Sequence, residues 1–276
     1  MKRTENANPG LLLALTPVVL TLLILGTQIF YFGVFEPHIP LAIGLAITSI
    51  VGIKLGLKWK DIERGIFHVI HVALPSVSVL ITVGMIIGVW IASGTVPSII
   101  YYGLKVLSPE LFLAAGMVIC AIVSLALGTS IPAMLIALII YLLVGFFVID
   151  TQSISFEKIN AITNTLDENF YISGWVLLPA LIVMGLAIKK YPPMPSLFAG
   201  VVAGGATAMI VQGQSLQSIF DFANNGYSIS TGIEEIDSLL NRGGIQSMMW
   251  TISLILIALG FGGALEKTGC LKSIIN

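Results

Sequence analysis

The chain alternates long apolar runs with short polar or proline-bearing interruptions, and most runs approach the roughly twenty residues that a helix needs to cross a bilayer. Leu11 to Phe35 predicts a first span, with Pro17 and Gln28 inside it. Leu41 to Ile53 predicts a short second span rich in small residues (Ala42, Gly44, Ala46, Ser49, Gly52), a composition that lets helix backbones approach closely. Trp59 to Ile70 puts Trp59, Ile62, Ile66 and Ile70 on one face and Lys60, Asp61, Glu63 and Arg64 on the other, as an amphipathic helix on the membrane surface does. A third span runs from Val72 to Ile91. Leu111 to Ile149 is too long for one crossing and is divided by Gly128-Thr129-Ser130-Ile131-Pro132, so it predicts two spans. Asp150 to Phe170 is a polar loop. Trp175 to Ile188 and Ser196 to Val211 are further spans, and Ile245 to Leu265 is the last. Between these, the polar segment Gln212 to Gly244 opens with a second surface helix through Leu216, Ile219, Phe220 and Ala223. The fold class is all-α, a polytopic membrane protein.

Three interruptions carry the polar chemistry. Ser93-Gly94-Thr95 and Pro97 break the apolar stretch Val83 to Leu104; glycine weakens a helix and proline removes an amide donor, so backbone groups are freed there. In lipid such groups persist only where protein or a water-lined cavity covers them, which is how transporters build ion and substrate sites. A plain helix end followed by an interfacial turn fits the same residues. Ser124, Gly128, Thr129 and Ser130 form a second polar break, able to offer hydroxyls and carbonyls to a hard cation or equally to make a tight hairpin. The third, Gly262 to Gly269, contains Glu266, which reads either as an intramembrane carboxylate or as a solvated pair with Lys267.

Composition agrees with the pattern. Of the 276 residues 57% are hydrophobic and 10% charged, and the mean hydropathy is +1.01. A net charge of -1 and a pI near 6.3 argue against nucleic acid as a partner. Two cysteines, Cys120 and Cys270, support neither a disulfide framework nor a thiolate metal site, and His68 and His71 have no third ligand nearby, so no cofactor or metal is expected. No nucleophile with a base and no nucleotide loop stands out, which argues against an enzyme. Lys2, Arg3, Lys54, Lys58, Lys60 and Arg64 place the N-terminus and the Lys54–Arg64 loop in the cytoplasm by the positive-inside rule, and the first run lacks a cleavage site, so it is retained.

Two parts of the chain share an order of features. Pro17, Pro40, Gly44, Ile62, Gly84, a polar break and Ser98-Ile99-Ile100 recur as Pro179, Pro195, Gly200, Ile219, Gly260, a polar break and Ser273-Ile274-Ile275. An odd number of crossings between them inverts the second copy, an arrangement found in secondary transporters. The organisation expected is a first repeat with connecting spans over 1–149, an external polar loop over 150–172 and a second, incomplete inverted repeat over 173–276.

At these residues the chain resembles the NhaC family of sodium/proton antiporters. The resemblance rests on Trp59-Lys60-Asp61-Ile62, Gly84 to Leu104 (GMIIGVWIASGTVPSIIYYGL), Ser108-Pro109 with Phe112-Leu113, Ser124 to Ser130 (SLALGTS) and Gly260 to Leu271 (GFGGALEKTGCL). It implies exchange of cytoplasmic sodium for external protons across the cell (inner) membrane, and in some relatives coupling to malate and lactate. The ion-handling set it suggests is Ser93, Gly94, Thr95, Ser124, Gly128, Thr129, Ser130 and Glu266. The family's Trp-Gly-Thr and acidic, hydroxyl-rich segment has no counterpart after Ser130, which passes directly into Ile131-Pro132, and the family continues beyond the position of Asn276. A central segment and a C-terminal part are therefore expected to be absent, so a non-transporting scaffold or one half of a split carrier stands beside the antiporter, as does an organic-acid exchanger. The expected partners are Na+, H+ and the lipid bilayer, and a homo-oligomer is compatible with the sequence.

Overall fold

Hydrophobic periodicity becomes helix throughout the described part of the chain. A computed structural model describes residues 9–106 and 156–275, and every regular element among them is helical. In order these are α1 (Leu11–Phe30), α2 (His38–Lys54), α3 (Trp59–Ala92), α4 (Thr95–Val106), α5 (Phe156–Asn169), a 3-10 turn (Gly174–Leu177), α6 (Leu178–Ile188), α7 (Pro193–Val211), α8 (Leu216–Asn225), α9 (Glu234–Leu240), α10 (Gly244–Lys267) and α11 (Cys270–Ile275). The expected break at Gly128 and the sites at Ser124, Gly128, Thr129 and Ser130 lie outside the described residues.

Among the described helices α1, α3, α7 and α10 are long and apolar enough to cross a membrane, and α5 with α6, bent by 89°, adds a fifth if the pair counts as one span. The chain is an all-α membrane protein.

Three sequence expectations change. The surface helix from Trp59 and the span from Val72 are one continuous helix of 34 residues, α3. Nothing between Ile70 and Val72 interrupts the backbone, and Pro75 is absorbed inside the helix. The polar loop expected up to Phe170 is helical over Phe156–Asn169. Its Thr163, Leu166 and Phe170 form a buried stripe at helical spacing, joined by Ile162, while Asp167 and Glu168 face away. The third break is narrower than Gly262 to Gly269, because α10 runs through to Lys267. Gly262 and Gly263 are therefore helical; a Cβ on Gly263 would meet the Gly65 carbonyl oxygen at 2.7 Å, so this glycine permits close helix packing rather than a turn.

By its contacts the chain forms two compact units that do not follow its linear order, Met1–Ser78 with Met249–Asn276, and Val79–Met248. In the first, α1 packs on α2 and on α11. Gly44 of α2 sits against Thr21 of α1 and Phe261 of α10, and Gly52 against Thr268 and Ile62. Its core joins Ala14, Val51, Leu265 and Cys270.

In the second unit α6 packs on α7, and α4 packs on the 3-10 turn and on α5. Gly200 of α7 sits against Val183 of α6 and against Ile86 and Trp90 of α3. Trp90 Nε1 donates to the Gly200 carbonyl at 2.9 Å. One core joins Val89, Ala208 and Ile219, and another Ile91, Leu166, Phe170, Ile236 and Leu240. Each unit thus combines a first helix, a small-residue helix and an amphipathic stretch from one half of the sequence with the interrupted helix of the other half.

Candidate functional site

Both interruptions bend the backbone in the same way. Gly94 and Gly269 each have φ +77°, a left-handed conformation that glycine adopts without a Cβ penalty. Ser93 N donates to Val89 O at 2.9 Å and Thr268 N to Ala264 O at 3.0 Å, four residues back in each case. Gly94 N then donates to Ile91 O at 2.9 Å and Gly269 N to Glu266 O at 3.1 Å, so both helices tighten on their last turn. Beyond the break Ser98 N donates to Gly94 O at 2.8 Å and Ser273 N to Gly269 O at 3.1 Å, restarting a helix. In register, Ser93-Gly94-Thr95-Val96-Pro97-Ser98 matches Thr268-Gly269-Cys270-Leu271-Lys272-Ser273.

The polar furnishing differs. At the first break Ser93, Thr95 and Ser98 are all completely buried. Ser93 Oγ lies 3.0 Å from Trp90 O and 2.7 Å from Thr95 Oγ1, and Thr95 Oγ1 lies 2.7 Å from Val176 O. These four oxygens make three hydrogen-bond contacts with only two hydroxyl protons between them, so one contact always pairs lone pair with lone pair. The Thr95 amide adds one long contact, donating to Ser93 Oγ at 3.4 Å. Such an oxygen-rich cluster is an environment that suits a hard cation. Ser98 Oγ, in the first turn of α4, has no hydrogen-bond partner among the described residues.

Gln212, at the end of α7, adds a donor at the break: its Nε2 donates to Ser93 O at 3.3 Å and to Tyr171 O at 3.1 Å, while its Oε1 accepts from Tyr171 N at 3.2 Å. Gly94 makes the room, since a Cβ there would clash with Gln212 Nε2 and meet Val176 Cγ1 at 3.3 Å.

At the second break Thr268 is also completely buried, but its Oγ1 bonds only within its own helix, to Ala264 O at 2.9 Å and Leu265 O at 3.2 Å. A Cβ built on Gly52 would meet the Thr268 methyl at 2.6 Å, and the place of Thr95 is taken by Cys270 within the apolar core. Glu266 is exposed at the surface of the chain. Ser93, Gly94 and Thr95 are therefore drawn together in one cluster, whereas Glu266 is placed at the other break and faces outward.

Two participants in the first cluster carried no local signal in the sequence: the Val176 carbonyl and Gln212. A lone glutamine closing a small-residue helix just before Gly213 was the one available hint. His68 and His71 are both exposed, and among the described residues no group of three His, Cys, Asp or Glu could hold a metal. Outside the spans, Asp237 Oδ1 accepts from Thr231 N at 2.8 Å and Thr231 Oγ1 at 2.7 Å, and these bonds hold its carboxyl below the usual range.

Residues 123–276 match the Na+/H+ antiporter family. The Na(+)/H(+) antiporter NhaC of Alkalihalophilus pseudofirmus is 31% identical, with 99% of this chain and 72% of the relative covered. That alignment is 342 positions long although the chain has 276 residues, so the relative carries positions without a counterpart here. The malate-2H(+)/Na(+)-lactate antiporter of Bacillus subtilis is 32% identical over 83% of this chain and 64% of its own length. NhaC of Bacillus subtilis is 27% identical over 87% of this chain and 68% of its own length. No solved structure matches.

Proposed function

Since the chain belongs to the Na+/H+ antiporter family, we propose that it is a secondary transporter exchanging Na+ for H+, with the oxygens around Ser93, Gly94 and Thr95 as its ion ligands. The observation that supports this most is the run of four oxygens from Trp90 to Val176 sharing two hydroxyl protons, with Ser93, Thr95 and Val176 fully buried where a spanning helix is interrupted. Sodium entering the cluster satisfies the surplus lone pairs. Protons compete by way of a titrating carboxylate, because hydroxyl and carbonyl oxygens do not hold a proton near neutral pH, so proton binding drives sodium release. Ser124, Gly128, Thr129 and Ser130 belong to the proposed set through their motif, and Glu266 is the carboxylate offered as a separate proton carrier.

The two halves are proposed to be inverted repeats with the N-terminus cytoplasmic. Supporting this are the shared order of features, the matching backbone at Gly94 and Gly269, and the basic residues before α3. Exchange of malate and lactate is a second reading, favoured by the similarity to the malate-2H(+)/Na(+)-lactate antiporter.

Everted vesicles containing the chain, with an imposed pH gradient reported by a quenched fluorescent amine, test both. Sodium pulses should dissipate the gradient at pH 7 to 9 while potassium pulses do not. Dissipation that requires malate or lactate favours the second reading, and no response to any of them at any pH removes active exchange.

A further inference from the structure

We infer that Gln212 is a positioning residue of the ion site, donating to the Ser93 carbonyl at the break and holding it beside the Ser93 and Thr95 hydroxyls. This rests on the proposed ion site at the first break. The side chain reaches across 119 residues of sequence to Ser93 and 41 to Tyr171. Its amide orientation follows from its partners: reversed, the oxygen would face two carbonyls and the NH2 group would face the Tyr171 N–H. Two carbonyls converge on one nitrogen, and the same segment supplies the Val176 carbonyl that accepts from Thr95. Gln212 and Thr95 thus tie the interrupted helix to the stretch from Tyr171 to Val176 at two points on either side of Gly94.

Losing the Gln212 amide leaves the Ser93 carbonyl without this donor, and sodium half-saturation read apart from maximal rate separates that loss from general stability. Gln212→Ala should raise the sodium concentration for half-maximal exchange about tenfold, with maximal rate and membrane abundance within about twofold of the parent. Gln212→Glu keeps the shape and the acceptor for Tyr171 N but is ionised throughout pH 7 to 9 and cannot donate, so its half-saturation should rise at least as far as that of Gln212→Ala.

The full chain is assayed in everted vesicles and, purified in detergent, by the sodium-dependent shift of its unfolding temperature. Half-saturation unchanged in Gln212→Ala or in Gln212→Glu overturns the assignment, as does a fall in rate and abundance alone. If the parent shifts with sodium but moves no protons, the exchange reading fails and the same variant series is decided on the thermal shift. If the parent neither shifts nor exchanges, both readings are overturned.

Discussion

The two helix breaks share a backbone and differ in chemistry. Gly94 and Gly269 have the same φ, and the amides on either side make the same bonds. Around Gly94, however, the side chains reach to other elements: Thr95 to Val176, Gln212 to Ser93 and Tyr171. Around Gly269 they turn inward, with Thr268 bonded to its own helix and Cys270 in apolar packing. An interrupted helix is therefore a scaffold on which a site can be built, and the interruption alone does not build one. What makes the first break a candidate is a surplus of oxygens over hydroxyl protons, together with a carbonyl that Gln212 reaches from another helix.

The sharpest way to separate the two is through their glycines. An L-residue held at this φ costs about 1–2 kcal/mol, so Gly94→Ala and Gly269→Ala should each lower the unfolding temperature. Only at Gly94 would the added methyl also displace Gln212 Nε2. Exchange should fall below about one tenth of the parent in Gly94→Ala and stay within about threefold in Gly269→Ala, after correction for abundance. Equal losses in both would erase the distinction.

The smallest effect is expected outside the spans. Asp237 has its carboxyl lowered by the two Thr231 bonds from an ordinary value of 3.8. A depressed folded-state value means that the carboxylate contributes stability above the ordinary value and loses it as the pH falls through the lower, folded one. Protection of the Thr231 amide in hydrogen exchange should therefore hold at neutral pH and fade only below about pH 3.8. Asp237→Asn should remove that acid transition and leave sodium half-saturation within about twofold. A larger change in sodium half-saturation would connect this loop to the ion site.

The membrane class and the first break were legible because their signals are local: an apolar run of the right length, then serine, glycine, threonine and proline within five positions. What escaped were partners distant in sequence. Nothing about Val176 or Gln212 read singly announces that one takes a hydrogen bond from Thr95 and the other caps Ser93. Helix α5 was obscured for another reason, since Asp167 and Glu168 made its C-terminal end read as loop although Ile162, Leu166 and Phe170 keep a buried stripe. Gly262 and Gly263 misled in the opposite sense: glycine pairs suggest a break, but here the missing side chain lets α10 lie against Gly65 of α3. The regrouping of α10 with α1 and α2, and of the end of α3 with α6 and α7, is a tertiary fact that no window of sequence contains.

The most direct test compares the hydroxyls themselves. A chain carrying Ser93→Ala with Thr95→Val and a chain carrying Thr268→Val are titrated with sodium side by side in everted vesicles. The oxygen cluster predicts half-saturation raised more than about tenfold in the first and unchanged within about twofold in the second. Equal half-saturation in the two chains, or the larger change with Thr268→Val, would contradict it.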